Sequence, residues 1–87
     1  MADEALVQAD DSDFDRVVLE ADVPVLVDFF TTWCAPCKAI VPHLEAVANS
    51  YGDRLRVVKV NIENAMEIGS RYGVMSVPTL LLFKAGS

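Results

Sequence analysis

The sequence has 87 residues, a length that favours one domain. Apolar residues make up 53% of the sequence, which is enough for a folded core. The net charge is −6 and the sequence has no Lys/Arg cluster, which argues against nucleic-acid or anionic-membrane partners. Residues 1–4 are acidic where a secretory signal needs positive charge, and no apolar run is long enough to span a membrane. We therefore expect a cytoplasmic protein in which cysteines are more often catalytic than structural.

The first third of the sequence predicts a strand, a helix and a second strand. Residues 5–9 are the short first strand, and the polar residues 10–13 supply candidates for a helix N-cap. Apolar residues then recur at the spacing of an amphipathic helix, at Phe14, Val17, Val18 and Ala21. Residues 25–30 form a nearly continuous apolar run, which is typical of a central strand covered on both faces.

A second helix is predicted to begin near the two cysteines and to end at Gly52. Its apolar stripe consists of Ile40, Leu44, Val47, Ala48 and Tyr51. Pro36 falls in its first turn, where a missing N–H costs nothing. Pro42 should kink it, because the proline ring opposes the carbonyl group of Lys38.

The last third predicts a strand, a short helix and a final strand. Residues 55–62 are rich in valine and form the third strand. Asn64 and Glu67 resemble a capping box at the start of a short helix, and Gly73 marks the end of that helix. Residues 79–83 form the fourth strand, and residues 84–87 have the composition of a turn. This alternation of strands and helices predicts an α/β fold with a mostly parallel sheet.

The most informative feature is the pair Cys34 and Cys37, which lies where the second strand gives way to a helix. This spacing suits reversible dithiol/disulfide chemistry, and the unpaired N–H groups of a helix start favour a thiolate. The alternatives are a structural pair of buried cysteines or half of a zinc site. A structural zinc site needs four ligands, and we interpret His43, the only histidine, as an exposed helix residue.

Asp28 is the second chemical signal, because a carboxylate within an apolar strand is costly unless it is functional or paired. Burial should raise its pKa and suit it to proton exchange. The alternative is an aspartate at the edge of the strand, hydrogen bonded to the backbone.

Four segments match a known family in order and spacing, and over residues 5–86 the sequence resembles thioredoxins. The segments are residues 27–30 (VDFF), 33–38 (WCAPCK), 59–62 (KVNI) and 77–84 (VPTLLLFK). The resemblance implies one thioredoxin-like domain over residues 1–87, a three-layer sandwich with three helices. Its mixed four-stranded sheet would have the order 3-1-2-4, with the fourth strand antiparallel and at the edge.

The resemblance also implies a thiol–disulfide oxidoreductase that reduces protein disulfides. Cys34 would attack the substrate disulfide and Cys37 would resolve the mixed disulfide. Asp28 would exchange a proton with Cys37, with Lys59 as its charge partner, although Lys59 also fits a solvated strand position. No cofactor would be bound; reducing equivalents would come from NADPH through a thioredoxin reductase, in electron transport to disulfide-containing proteins.

The same resemblance implies a substrate surface around Cys34. Pro78 would be cis and would pack against the sulfurs, hindering metal binding, and the backbone of Val77 would pair with an extended substrate segment. A flat apolar surface would comprise Trp33, Ala35, Pro36 and Met75. For Trp33, ordinary packing is the alternative interpretation.

The sequence departs from the thioredoxin pattern at three places. Ala35 replaces the common glycine and should shift the redox equilibrium somewhat. Phe30 replaces a second tryptophan, a conservative aromatic change. Thioredoxins continue with a fifth strand and a final helix that are not found here, so we expect a domain incomplete at its C-terminus. It should self-associate, as a dimer, through the exposed fourth strand or the bare sheet face.

Two other functions remain open at this point. The first is a catalytically weak thioredoxin-fold fragment that acts as a binding or scaffold module. The second is a dimer in which two Cys-x-x-Cys motifs together bind a metal or iron–sulfur centre.

Overall fold

The structure, a computed structural model, describes residues 6–84. Its strands are β1 (Leu6–Ala9), β2 (Val25–Phe30), β3 (Arg56–Asn61) and β4 (Thr79–Phe83), and its α-helices are α1 (Ala35–Ala39), α2 (Val41–Tyr51) and α3 (Met66–Arg71). A π-helical turn (Asp15–Leu19) lies between β1 and β2, and a 3-10 turn (Gly52–Arg54) follows α2. Residue 5 of the predicted first strand and residues 85–87 of the predicted final turn lie outside the described residues, as do residues 1–4. In the described part, no helix is both long and apolar enough to cross a membrane.

The strands form one mixed sheet in the order β1-β3-β2-β4. β3 pairs in parallel with both β1 and β2, whereas β4 pairs antiparallel with β2 and forms an edge. The α/β fold and the antiparallel edge strand are therefore confirmed, but the order 3-1-2-4 is wrong because β1 and β3 exchange places. The physical reason is burial: β1 has only four residues and exposes two of them, while Val57, Val58 and Val60 of β3 are at most 1% exposed and need neighbours on both sides.

The first two predicted helices differ from a regular α-helix. The turn at Asp15–Leu19 is π-helical, since the Glu20 N–H donates to the Asp15 carbonyl group over 3.0 Å. The widened turn still buries Phe14, Val17 and Val18, as the apolar spacing predicted. The predicted second helix is interrupted at Ile40 into α1 and α2, which confirms the break expected from the proline in the first turn of α2.

The start of α3 is capped from a distant part of the chain. The backbone N–H groups of Glu67 and Ile68 donate to the carboxylate of Asp11, over 3.3 and 3.0 Å. Ala65 occupies the N-cap position without a side-chain hydrogen bond, so the predicted capping box of Asn64 and Glu67 is wrong. The N–H of Asn64 instead bonds to the carbonyl group of Asn61 in a turn, which places Asn64 too early to cap the helix.

The two faces of the sheet are covered to different extents. One face packs against the π-helical turn and α3, where Phe14, Tyr72 and Phe83 form an aromatic cluster with ring centroids 5.2–5.9 Å apart. The other face is covered by α2 through Leu44 and Ala48. Two leucines of the edge strand β4, Leu80 and Leu82, remain 48% and 59% exposed.

Candidate active site

The loop after β2 is held in place by one hydrogen bond within it and by two hydrogen bonds to a residue that follows β3. The N–H of Cys34 donates to the carbonyl group of Thr31 over 3.4 Å, which makes residues 31–34 a tight turn. The N–H and hydroxyl group of Thr32 donate to the Glu63 carboxylate over 2.9 and 3.0 Å. These hydrogen bonds hold the pKa of Glu63 below its usual value. The turn therefore positions Cys34 relative to the end of the sheet.

Cys34 and Cys37 are joined by a disulfide, with their Cα atoms 5.2 Å apart. Cys34 is the N-cap residue of α1 with extended backbone angles (φ −91°, ψ 110°), and its Sγ atom accepts the N–H of Cys37 over 3.1 Å. A hydrogen bond from a backbone N–H stabilises a sulfur that becomes negatively charged. Both residues are buried, Cys34 being 6% and Cys37 2% exposed.

An open, mainly apolar groove of about 600 Å³ runs past Cys34. Its lining residues are Thr31, Trp33, Cys34, Ala35, Pro36, Ile62, Met75, Ser76 and Val77. Trp33 and Met75 are 73% and 95% exposed, so they offer apolar area that no other part of the described chain covers. The groove thus brings together the predicted substrate-binding residues except Pro78, which is joined to Val77 by a cis peptide bond and does not line it.

Cys37 faces a separate cavity of about 260 Å³. This cavity is lined by Phe30, Thr31, Thr32, Cys37, Lys38 and Lys59. The ammonium group of Lys59 lies over the ring of Phe30, 4.3 Å from its centroid, in a cation–π contact. Lys59 is therefore a partly buried residue that lines the same cavity as Cys37, rather than a freely solvated strand residue.

Asp28 is fully buried on β2, and neither of its carboxylate oxygens has a hydrogen-bond partner among residues 6–84. Burial raises the pKa of Asp28 from 3.8 to about 6, an effect that the positive charge of Lys59 partly offsets. Lys59 is the residue paired with Asp28 across β2 and β3. A carboxyl group with a pKa near neutrality can both accept and donate a proton at physiological pH.

Three residues of the site were not singled out from the sequence: Thr31, Ile62 and Ser76. Ser76 lies between two residues that were predicted, so adjacency alone would have indicated it. Thr31 carried a weaker signal, a polar residue directly after a buried strand. His43 is exposed on α2 as predicted, and within the described chain no three His, Cys, Asp or Glu side chains come together in a group that could hold a metal ion.

Comparison with known proteins agrees with this geometry. The thioredoxin family model matches residues 5–87. The chain is 51% identical to thioredoxin of Acidithiobacillus ferridurans over 86 residues, which are 99% of this chain and 79% of that protein. It is 46% identical to thioredoxin of Pseudomonas aeruginosa over 84 residues (97% and 78%), and 45% identical to thioredoxin 1 of Nostoc sp. over 82 residues (94% and 77%). With its Cys34–Cys37 disulfide at the edge of an apolar groove, the chain belongs to the thioredoxin family and is a thiol–disulfide oxidoreductase.

Proposed function

We propose that this protein acts in the reducing direction, on disulfides of other proteins. The observation that carries the proposal is the separation of the two cysteines. Cys34 lines the larger, mainly apolar groove, whereas Cys37 lines a separate, smaller cavity, and Cys34 is the more exposed of the two at 6% against 2%. These differences support Cys34 as the residue that attacks the substrate disulfide and Cys37 as the resolving residue.

The reaction then proceeds in two exchanges. The Cys34 thiolate attacks one substrate sulfur, forming a mixed disulfide and releasing the other substrate sulfur as a thiolate that takes up a proton from solvent. Cys37 loses its proton and attacks Cys34, which releases the second substrate thiol and forms the disulfide seen in the structure. The two electrons of the Cys34/Cys37 dithiol end on the two substrate sulfurs.

Asp28 is our candidate acceptor for the Cys37 proton. Its pKa of about 6 leaves it ionised at pH 7 yet basic enough to take up a proton. Lys59 supports this assignment, because it is the strand partner of Asp28 and also lines the Cys37 cavity. Its positive charge lowers the pKa of Asp28 and so favours the ionised carboxylate that can take up the proton.

Substrate would bind as an extended segment along the groove. No hydrogen bond joins the backbone of Val77 to another residue of the described range, so its N–H and C=O groups are open to strand-like pairing. Trp33, Ala35, Pro36 and Met75 would contact substrate side chains on the exposed apolar rim. Pro78 would fix the direction of Val77. Backbone pairing carries little sequence information, so we expect many protein substrates.

We further propose that the protein works in the cytoplasm and that a thioredoxin reductase, drawing on NADPH, returns the disulfide to the dithiol. This would place the protein in an electron-transport chain from NADPH to protein disulfides. The disulfide itself supplies the two-electron capacity, so the chemistry needs no bound cofactor.

The test is the reduction of insulin disulfides by dithiothreitol, with and without the protein. We expect the protein to accelerate the reaction, Cys34→Ser to abolish the acceleration, and Cys37→Ser to accumulate a mixed disulfide with the substrate. His43→Ala, an exposed change on α2, serves as the matched control and should behave like the unaltered protein. Equal rates with and without the protein would refute the proposal, and would favour a binding or scaffold role.

A second proposal concerns self-association. We propose that two copies associate through β4 and the adjoining sheet face. Leu80 and Leu82 are about half exposed on β4, whose outer edge pairs with no other strand of residues 6–84. Leu82 also adjoins a shallow apolar groove lined by Leu26, Val47 and Tyr51. An apolar edge strand can pair with a second copy of itself in an antiparallel ladder.

A further inference from the structure

Thr31 has a buried hydroxyl group that is unpaired within residues 6–84. The residue is 4% exposed, and its Oγ1 atom makes no hydrogen bond to any residue of the described chain. Buried hydroxyl groups are hydrogen bonded in the large majority of cases, and an unpaired one destabilises the state that contains it. The cost therefore falls on the disulfide form, which is the form the structure represents.

The position of Thr31 suggests what relieves that cost. Thr31 and Cys34 are the first and last residues of the tight turn, and together they line the substrate groove. Thr31 also lines the cavity that contains Cys37. It therefore shares one cavity with Cys34 and another with Cys37. In the disulfide, each sulfur is a weak acceptor, whereas a thiolate accepts a strong, charge-assisted hydrogen bond.

We propose that the Thr31 hydroxyl group donates a hydrogen bond to the Cys34 sulfur when the disulfide is reduced. Reduction by dithiothreitol breaks the Cys34–Cys37 bond and transfers two electrons to its sulfurs. Cys37 takes one proton and becomes a thiol, Cys34 remains a thiolate, one proton goes to solvent, and dithiothreitol closes to its cyclic disulfide. The hydroxyl group would join the Cys37 N–H as a second donor to Cys34, which already accepts that N–H over 3.1 Å in the disulfide form.

This hydrogen bond would favour the dithiol over the disulfide in two ways. It stabilises the reduced protein, and its absence leaves a buried hydroxyl group unpaired in the oxidised protein. Thr31 would then make the protein a weaker reductant than the same fold with an apolar residue at that position. The charged groups around the cysteines are Asp28 on β2, Lys59 on β3, Lys38 on α1 and Glu63 after β3. A substitution of Thr31 that preserves the shape of its side chain leaves all four of these groups in place, so it tests the hydroxyl group alone.

The experiment compares Thr31→Val, which keeps the shape but removes the hydroxyl group, with Thr31→Ser, which keeps the hydroxyl group. Each full-length protein is equilibrated with dithiothreitol redox buffers at pH 7. We expect Thr31→Val to shift the equilibrium about three- to tenfold toward the disulfide, or about 15–30 mV toward more reducing potentials. The alkylation rate of its Cys34 at pH 6 should fall about three- to tenfold, because less thiolate is present. Thr31→Ser should stay within about twofold of the unaltered protein.

Ser70→Ala is the matched control, since it removes the hydroxyl group of an exposed residue on α3 that lines neither cysteine cavity. A purely structural role for Thr31 would change the stability of both redox forms equally and leave the equilibrium unchanged. The proposal is overturned if Thr31→Val stays within twofold of the unaltered protein, or if Ser70→Ala shifts the equilibrium as far. A measurement without substitutions adds a second test: the NMR signal of the Thr31 hydroxyl proton should move downfield on reduction, and an unchanged position would also overturn the proposal.

Discussion

Asp28 and Lys59 occupy directly paired positions on β2 and β3, yet they make no hydrogen bond to each other. The Lys59 ammonium group contacts the ring of Phe30 instead, while both buried oxygens of Asp28 find no hydrogen-bond partner in the part of the chain that the structure describes. Lys59 therefore acts on Asp28 only through its charge. A direct ion pair would hold the carboxyl group in its ionised form, and the looser arrangement leaves its pKa at about 6.

We expect Asp28→Asn to stabilise the protein at pH 7. The pKa of Asp28 is raised from 3.8 to about 6, so the folded state binds more protons than the unfolded state between these values. Stability should therefore fall as the pH rises from about 4 to 6, and stay at the lower level above that range. Removing the charge should recover up to about 3 kcal/mol at pH 7. Denaturant unfolding of both proteins at pH 4 and pH 7 measures the difference.

The same substitution should slow catalysis while it raises stability. If Asp28 accepts the Cys37 proton as proposed, removing its carboxyl group should slow insulin reduction at pH 7 by about tenfold or more. Asp22→Asn, an exposed aspartate outside the site, is the control and should change neither quantity. An Asp28→Asn protein that is both less stable and fully active would contradict the assigned role.

Lys59→Met tests the electrostatic part of this arrangement, because methionine keeps an unbranched apolar side chain but removes the charge. The positive charge of Lys59 lowers the pKa of Asp28, so its loss should move that pKa above 6. Since the ionised carboxylate is then less favourable, stability at pH 7 should fall by about 1 kcal/mol or less. NMR titration of the Asp28 side-chain carbon gives the pKa directly. A pKa that stays at or below its original value would show that Lys59 exerts no such influence.

Asp11→Ala should weaken the start of α3. Asp11 is the only side chain in the described range that accepts the N–H groups of Glu67 and Ile68, and loss of such a cap costs about 1 kcal/mol. Hydrogen exchange at these two amides should quicken, whereas amides of β3 should change only through global stability. Asp22→Ala is the matched control, and equal effects of the two substitutions would contradict a capping role.

Local patterns predicted the parts of this fold that depend on nearby residues. The spacing of Phe14, Val17 and Val18 predicted a buried face, and the cysteine pair predicted the disulfide at a helix start, because both signals lie within one turn of chain. The capping of α3 could not be predicted in this way, since Asp11 lies 56 and 57 residues from its partners.

The strand order and the proposed role of Thr31 could not be predicted from local sequence patterns either. An apolar run predicts a buried strand but not its neighbours, so the exchange of β1 and β3 appeared only when their register was known. Likewise, a threonine after a strand is ordinary in sequence. Thr31 is unusual only because it is buried and its hydroxyl group has no hydrogen-bond partner among the described residues. Asp28 was predicted because a carboxylate within an apolar run is conspicuous in the sequence itself.

The proposed association through β4 leads to a final prediction, for Leu82→Lys. A lysine on an edge strand opposes pairing with another strand, because burying its charge in the interface is costly. If β4 and its adjoining face join two copies, the substitution should raise the dissociation constant about tenfold or more. Sedimentation velocity over a wide concentration range measures this. Met66→Lys places the same charge on α3, at a residue that is 74% exposed and distant from β4 along the chain, and it should leave association unchanged. A monomeric unaltered protein at all concentrations would reject the association, and equal effects of the two lysines would place the contact elsewhere.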